Sequence, residues 1–162
     1  MQTCPCCSNQ PFSNCCQPII AGEIAPTAEA LVRSRYAAFV VRDLDHVQHT
    51  HAPEISDDFN RAEAERLAEE CEWLGLHIHS AKELHDQAEV AFVVKFRRDQ
   101  KVISKGAISK FRKYDGHWLF VSSKPAPQIE HLGRQKVGRN EACHCNSGRK
   151  FKKCCGNLAE AR

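Results

Sequence analysis

Nine of the ten cysteines in this 162-residue chain fall into two groups, five near the start and four near the end. The front group reads Cys4-x-Cys6, eight residues, then Cys15-Cys16. The back group reads Cys143-x-Cys145, eight residues, then Cys154-Cys155. The spacing repeats at an offset of 139 residues, and Ser8 with Ser147 and Phe12 with Phe151 repeat at the same offset. Four thiolates in two close pairs are the donor set of a closed tetrahedral zinc site. A one-residue gap lets two sulfurs from a tight turn face one ion, and a second segment brings the other pair. Two zinc sites are therefore expected, one held by Cys4, Cys6, Cys15 and Cys16, the other by Cys143, Cys145, Cys154 and Cys155. Cys7 is left as a spare fifth thiol in front. Four thiolates would also suit an iron–sulfur cluster, and the vicinal pairs could close as strained disulfides. The polar surroundings give four cysteines no hydrophobic reason to be there, which favours metal.

Each group is expected to fold as a small module around its ion. Ser147 can cap a short helical turn from Arg149 to Lys153 that delivers Cys154 and Cys155, with Gly156 ending it. Phe151 is expected to lie over the site. Pro11 would interrupt the equivalent front turn unless it sits near its start. So small a module has no core of its own, and metal ligation at roughly 10–16 kcal/mol would supply nearly all its folding free energy.

The back module, from Arg139 through Cys143-His144-Cys145-Asn146-Ser147 to Lys152-Lys153-Cys154-Cys155-Gly156, resembles the SEC-C zinc motif, first recognised at the C-terminus of the secretion ATPase SecA. The front run Cys4-Pro5-Cys6-Cys7-Ser8 is similar to it, with Cys7 in a position where the motif has Gly. His144 and Asn146 stand where the motif usually has Pro and Gly; Asn tolerates the left-handed backbone.

Between the modules, Gly22 to Pro26 reads as a linker and Thr27 as a helix cap. Leu31, Val32, Tyr36, Phe39 and Val40 recur at helical spacing, predicting a helix over 28–41. Asp43 can cap a second helix to about Thr50, stopped by Pro53. Ser56 or Asp57 is expected to start a third, over roughly 58–71. Alternation then predicts strands at 73–81, 90–97, 102–114 and 118–122, with Asp115-Gly116 as a hairpin turn. Helices followed by an antiparallel meander give an α+β domain over 27–133, between an N-terminal module at 1–21 and a C-terminal one at 136–158. Arg33-Ser34-Arg35-Tyr36-Ala37-Ala38-Phe39, Thr50-His51-Ala52-Pro53 and Glu72-Trp73-Leu74-Gly75-Leu76 resemble the bacterial YchJ family. That resemblance implies two SEC-C modules flanking a domain similar to nuclear transport factor two. The implied body is a curved antiparallel sheet wrapped by helices into a cone, often with a pocket.

Charge is unevenly spread around a net of +3. Residues 27–90 carry 14 acids and 6 bases, residues 91–124 carry 9 bases and 2 acids, and residues 134–153 carry 7 bases against Glu141. The front module has no base between Cys4 and Cys16. The basic back module, through Arg149, Lys150, Lys152 and Lys153, is expected to meet a protein partner with an acidic face; the ribosome or RNA offers the same field. The basic strands read as a solvated sheet face. No run approaches the ~18 apolar residues of a membrane helix, and no signal segment is visible, which points to the cytoplasm.

The expected function is that of a zinc-binding adaptor rather than an enzyme. The alternative is a small-molecule binder or acid–base enzyme using a central pocket, with Asp43, Asp45, His46, His49 and His51 as its best constellation. Trp73, Tyr36 and Phe39 read as core, His77 and His79 as one strand face, and Cys71 as an inert buried thiol.

Overall fold

The computed structural model describes residues 2–130, 138–142 and 148–154. Four helices precede a four-stranded antiparallel sheet. Helix α1 spans Cys16–Ile20, α2 Ala28–Val41, α3 Leu44–His49 and α4 Arg61–Glu70. The strands are β1 Glu72–Leu84, β2 Gln87–Arg98, β3 Lys101–Tyr114 and β4 His117–Pro125, in that order across the sheet. No helix among the described residues is long and apolar enough to cross a membrane.

Local chemistry explains most boundaries. Thr27 caps α2 by accepting a hydrogen bond from the Ala30 backbone at 3.0 Å, and the Asp43 carboxylate caps α3 from His46 N–H at 3.4 Å. The third expected helix begins later than Ser56 or Asp57. Pro53 opens a 3-10 segment, Pro53–Asp58, and the Ser56 hydroxyl is spent on the Pro53 carbonyl. Asn60 is the residue free to cap α4, accepting from Glu63 N–H at 3.0 Å. All four strands run longer than their alternating cores, because each hairpin continues the ladder to its turn. β1 carries irregularities between Trp73 and Gly75 and between Ile78 and Ser80, and β4 one at Val121, opposite Lys110 and Phe111 of β3. Such bulges add twist and curl the sheet.

One sheet face packs against α2. Val90, Phe111 and Trp118 meet Leu31, Tyr36 and Ala37 there, and Trp73 stands edge-on to Tyr36 with ring centres 5.8 Å apart. Trp73, Tyr36 and Phe39 are thus core. A second cluster joins α2, α3 and α4 through Ala38, Leu44, Val47, Ala64 and Ala68. Half-buried Arg35 ties three elements: it donates to the Val47 carbonyl at 2.8 Å and the Thr50 hydroxyl at 2.6 Å, and lies 4.7 Å over the Phe120 ring.

The outer sheet face is not wholly solvated. After β4 the chain turns back so that Ala126 and Ile129 cover Ala91 and Val93. Gly106 makes this possible. A Cβ there would lie 2.3 Å from the Ala126 carbonyl oxygen and 2.8 Å from the Ile129 side chain, while Gly106 N–H donates to the Glu130 carboxylate at 3.1 Å. Gly106→Ala must therefore displace backbone. It is expected to cost about 2 kcal/mol or more by urea unfolding, whereas Gly116→Ala at an open turn strains only its own left-handed φ of +80°.

Candidate metal centre

The front module is a hairpin-like loop closed by a bridge between Thr3 and Pro11. Pro11 precedes the turn as its N-cap, where its missing N–H costs no helical hydrogen bond. A 3-10 turn, Phe12–Asn14, then leads through Cys15 into α1, whose first residue is Cys16. Cys7 takes the left-handed backbone, at φ +64°, in the position where the motif carries Gly. The sulfurs of Cys4, Cys6, Cys15 and Cys16 all lie within 4.8 Å of one another. Cys6 and Cys15 are 3.6 Å apart and Cys15 and Cys16 3.8 Å. Metal–sulfur bonds of about 2.3 Å in a tetrahedron require edges of about 3.8 Å, while a disulfide requires about 2.0 Å. The four are free thiols set at metal-ligand separation, and they form a group that can hold a metal ion.

Their ionisation points the same way. Hydrogen bonds from the Cys16 and Cys4 thiols hold Cys6 down to about 2. For Cys4, a hydrogen bond from Cys16 favours the thiolate, but donation to Cys6 and burial outweigh it and push the thiol up to about 12. Cys16, donating to Cys4 and to Cys6, is driven further up. Without a cation the negative charge collects on Cys6. A metal ion supplies the positive charge that lets neighbouring thiols ionise together, with release of protons.

Contacts outside the sulfur shell fix this geometry, and sequence reading did not single them out for that role. The Ser8 hydroxyl lies 3.2 Å from the Cys15 sulfur, and Arg33 on α2 donates to the Cys6 carbonyl at 2.9 Å while its Nε meets Glu29 at 2.9 Å. The module also shares a core with the rest of the chain. Cys4, Cys6 and Cys16 are buried in the cluster that contains Leu31, Tyr36 and Trp118. This corrects the expectation of a module without a core.

At the back, Cys143, Cys145 and Cys155 lie outside the described residues, as do Ser147 and Gly156. Cys154 is half-buried, and Arg149, Lys150, Lys152 and Lys153 are exposed. The described part repeats the front module at the offset of 139. The Ala142–Lys150 bridge matches Thr3–Pro11, and the 3-10 turn Phe151–Lys153 matches Phe12–Asn14. Phe151 N–H meets the Glu141 carbonyl at 2.8 Å as Phe12 N–H meets Gln2 at 2.9 Å. Gly148 is left-handed at φ +71° where Asn9 is at +63°. Cys154, at φ −137° and ψ −115°, stands in the place of Cys15 at −124° and −95°. The helical turn expected from Arg149 is, in its described part, one 3-10 turn from Phe151. The modules also meet. A Cβ on Gly148 would lie 3.7 Å from Asn9, and Arg149 and Cys154 line a cleft of about 230 Å³ with Cys4, Cys7 and Trp73.

The model of the YchJ middle domain, similar to nuclear transport factor two, matches residues 27–123, and that of the SEC-C motif matches residues 139–157. The chain belongs to the YchJ family. A SEC-C motif protein from Rhodopseudomonas palustris, solved in solution, is 33% identical with a TM-score of 0.73, over 77% of this chain and 99% of that one. A SEC-C motif protein from Psychrobacter arcticus, solved as a crystal, is 29% identical with a TM-score of 0.69, over 97% of each chain. In this YchJ-family chain the front loop carries the described sulfur cluster, although the SEC-C match covers the back module alone.

The constellation proposed in the central domain divides. Asp43, Asp45, His46 and His49 line a cavity of about 400 Å³ with Ile19, Ile20, Leu31 and Trp118. His51 is elsewhere, packed between Phe59 and Phe120 with its Nδ1 2.8 Å from the Val47 carbonyl. His77 is half-buried and His79 exposed, so they do not share one environment. Cys71 is buried, and burial pushes its thiol up, as an inert cysteine requires.

Two outcomes are expected. Arg33→Gln removes the tie to Cys6 and should weaken metal binding at the front cluster roughly 10–100-fold, measured by competition against a chromophoric chelator. His46 is 8% exposed, and burial, with the nearby Arg35 charge, holds it down to about 4. Its unfolded value is near 6.5, so the unfolded chain takes up the proton first. The stability that neutral His46 contributes is complete above about pH 6.5 and is lost as pH falls towards 4, by about 2–3 kcal/mol. Urea unfolding of the wild type and His46→Gln across that window should show the slope in the first and a flatter profile in the second.

Proposed function

We propose that this chain is a cytoplasmic zinc-binding adaptor in which a rigid central domain, residues 27–133, carries two zinc modules, residues 1–21 and 136–158. Zinc is the ion because four sulfurs at tetrahedral separation form a closed shell with no open position for substrate. The observation that carries the second site is the repeated backbone at offset 139, which sets Cys154 where Cys15 stands. Cys143, Cys145 and Cys155 complete its donor set by the same spacing.

The two modules share a backbone and differ in charge. Lys150, Lys152 and Lys153 are exposed in the back module, and the front module has no base between its ligands. A compact basic surface of this kind suits an acidic protein face, including one on the ribosome. Arg149 belongs to the cleft against the front module and contributes less to that surface.

Native mass spectrometry of the purified chain should find two zinc ions, falling to one in Cys6→Ser and to one in Cys154→Ser. A wild-type chain that binds no zinc ends the proposal. Lys150→Glu, Lys152→Glu and Lys153→Glu together should abolish partner capture with both ions retained; unchanged capture would refute the basic docking surface.

A further inference from the structure

We propose that the cavity between α1, α3 and β4 binds a small amine with an apolar body. The cavity, about 400 Å³, has the size of an ordinary small-molecule site. Its wall is apolar where it is deepest. Leu31 is 1% exposed and Trp118 2%, and Ile19 and Ile20 close it from the α1 side.

Among the polar residues of that wall, His46 is the buried one. The Ser34 hydroxyl donates to the Leu31 carbonyl at 3.0 Å, so at 2.9 Å from His46 Nε2 it accepts, and the imidazole proton belongs on Nε2. His46 Nδ1 is then an acceptor, and no described residue bonds to it. It is not sealed off either, since the buried side-chain nitrogens without a partner are those of Trp73 and Trp118. A side chain more than nine-tenths buried thus offers an open lone pair to the cavity it lines. The occupant must supply a donor.

The rim decides the charge of that donor. Among the described residues no Lys or Arg lines the cavity, while Glu23, Asp43 and Asp45 do, together with His49 and His117. Asp45 is neutralised by Arg61 at 2.6 Å, leaving Asp43 and Glu23 without an ion pair among the described residues. Asp43 sits on the same turn as His46, its carboxylate 3.4 Å from the His46 backbone nitrogen. An ammonium group satisfies both features: it donates to Nδ1 and faces the unneutralised carboxylates, while the apolar remainder lies against Leu31 and Trp118. A carboxylate or phosphate ligand meets like charge at that rim. The groups that recognise the amine lie on α3 and β4 rather than among the sulfurs, and the test is run with metal bound, so its outcome is distinct from metal stoichiometry.

The test titrates the full, metal-loaded, ¹⁵N-labelled chain with 2-phenylethylamine, 2-phenylethanol and 3-phenylpropanoate. The amine should move the Trp118 indole resonance and the His46 ring nitrogens. The alcohol should bind about tenfold more weakly or worse, from loss of a charged hydrogen bond, and the acid should have no effect. Asp43→Asn still caps α3 and should weaken the amine about tenfold while leaving the alcohol unchanged. Absence of shifts with the amine at millimolar concentration, equal binding of the acid, or an Asp43→Asn variant that binds the amine undiminished would each overturn the assignment.

Discussion

Four sulfurs drawn to within 4.8 Å of one another are the constraint on which the N-terminal third depends. Thiolates at that separation repel strongly unless a dication stands among them, and three of the four are almost wholly buried. The arrangement persists because two sources of free energy act on the same residues. Ligation would hold the sulfurs to each other, and burial holds Cys4, Cys6 and Cys16 against Leu31, Tyr36 and Trp118. An isolated zinc finger depends on the first and unfolds without its ion. Here the second is added, with Arg33 as a hydrogen-bonded strut from α2 to the Cys6 carbonyl. The front module is therefore an extension of the domain core as well as a loop that can hold a metal ion.

The sequence repeat shows how little is needed to specify such a loop. The two modules share four cysteine positions, a serine and a phenylalanine, and almost nothing else. Yet they have the same bridge, the same 3-10 turn and the same left-handed residue, supplied by Asn9 in one and Gly148 in the other. Backbone requirements are few and local: a residue that tolerates positive φ, an extended residue before the turn, and sulfurs at fixed intervals. Everything else can vary, so charge is free to diverge. That freedom allows one scaffold to be tucked against α2 at one end and to present lysines at the other.

What could be read in advance follows the same division between local and distant causes. Thr27, Asp43 and the helical spacing of Leu31, Val32 and Tyr36 settle α2 and α3, because caps and periodicity act over a single turn. The cysteine intervals are legible for the same reason. Asn60 as the cap of α4 is less so, since three earlier polar residues compete and Pro53 diverts the first of them into a 3-10 segment. Tertiary facts were hidden. Cysteine is both a ligand and a small apolar residue, and the ligand reading concealed its place in the core. Nothing near Gly106 in the sequence announces that residues 126–130 return to cover it. His46 and His49 look equivalent on a six-residue helix, yet one is buried against Ser34 and the other exposed.

These parts are joined by one short helix. Cys16 is both a member of the sulfur cluster and the first residue of α1, and three residues later Ile19 and Ile20 wall the central cavity. Five residues of helix give about one and a half turns, too few to form by themselves. Its stability has to be borrowed from its two ends. The N-terminal end is fixed wherever Cys16 is fixed, and the C-terminal end by packing on α2 and beside Trp118. An ion at the sulfurs would thus act on the cavity without touching it, by holding the helix that forms one of its walls. The coupling would be reciprocal, because whatever fills the cavity and orders Ile19 and Ile20 also orders Cys16. Metal site and cavity are chemically unrelated, and a single turn of helix places them under one constraint.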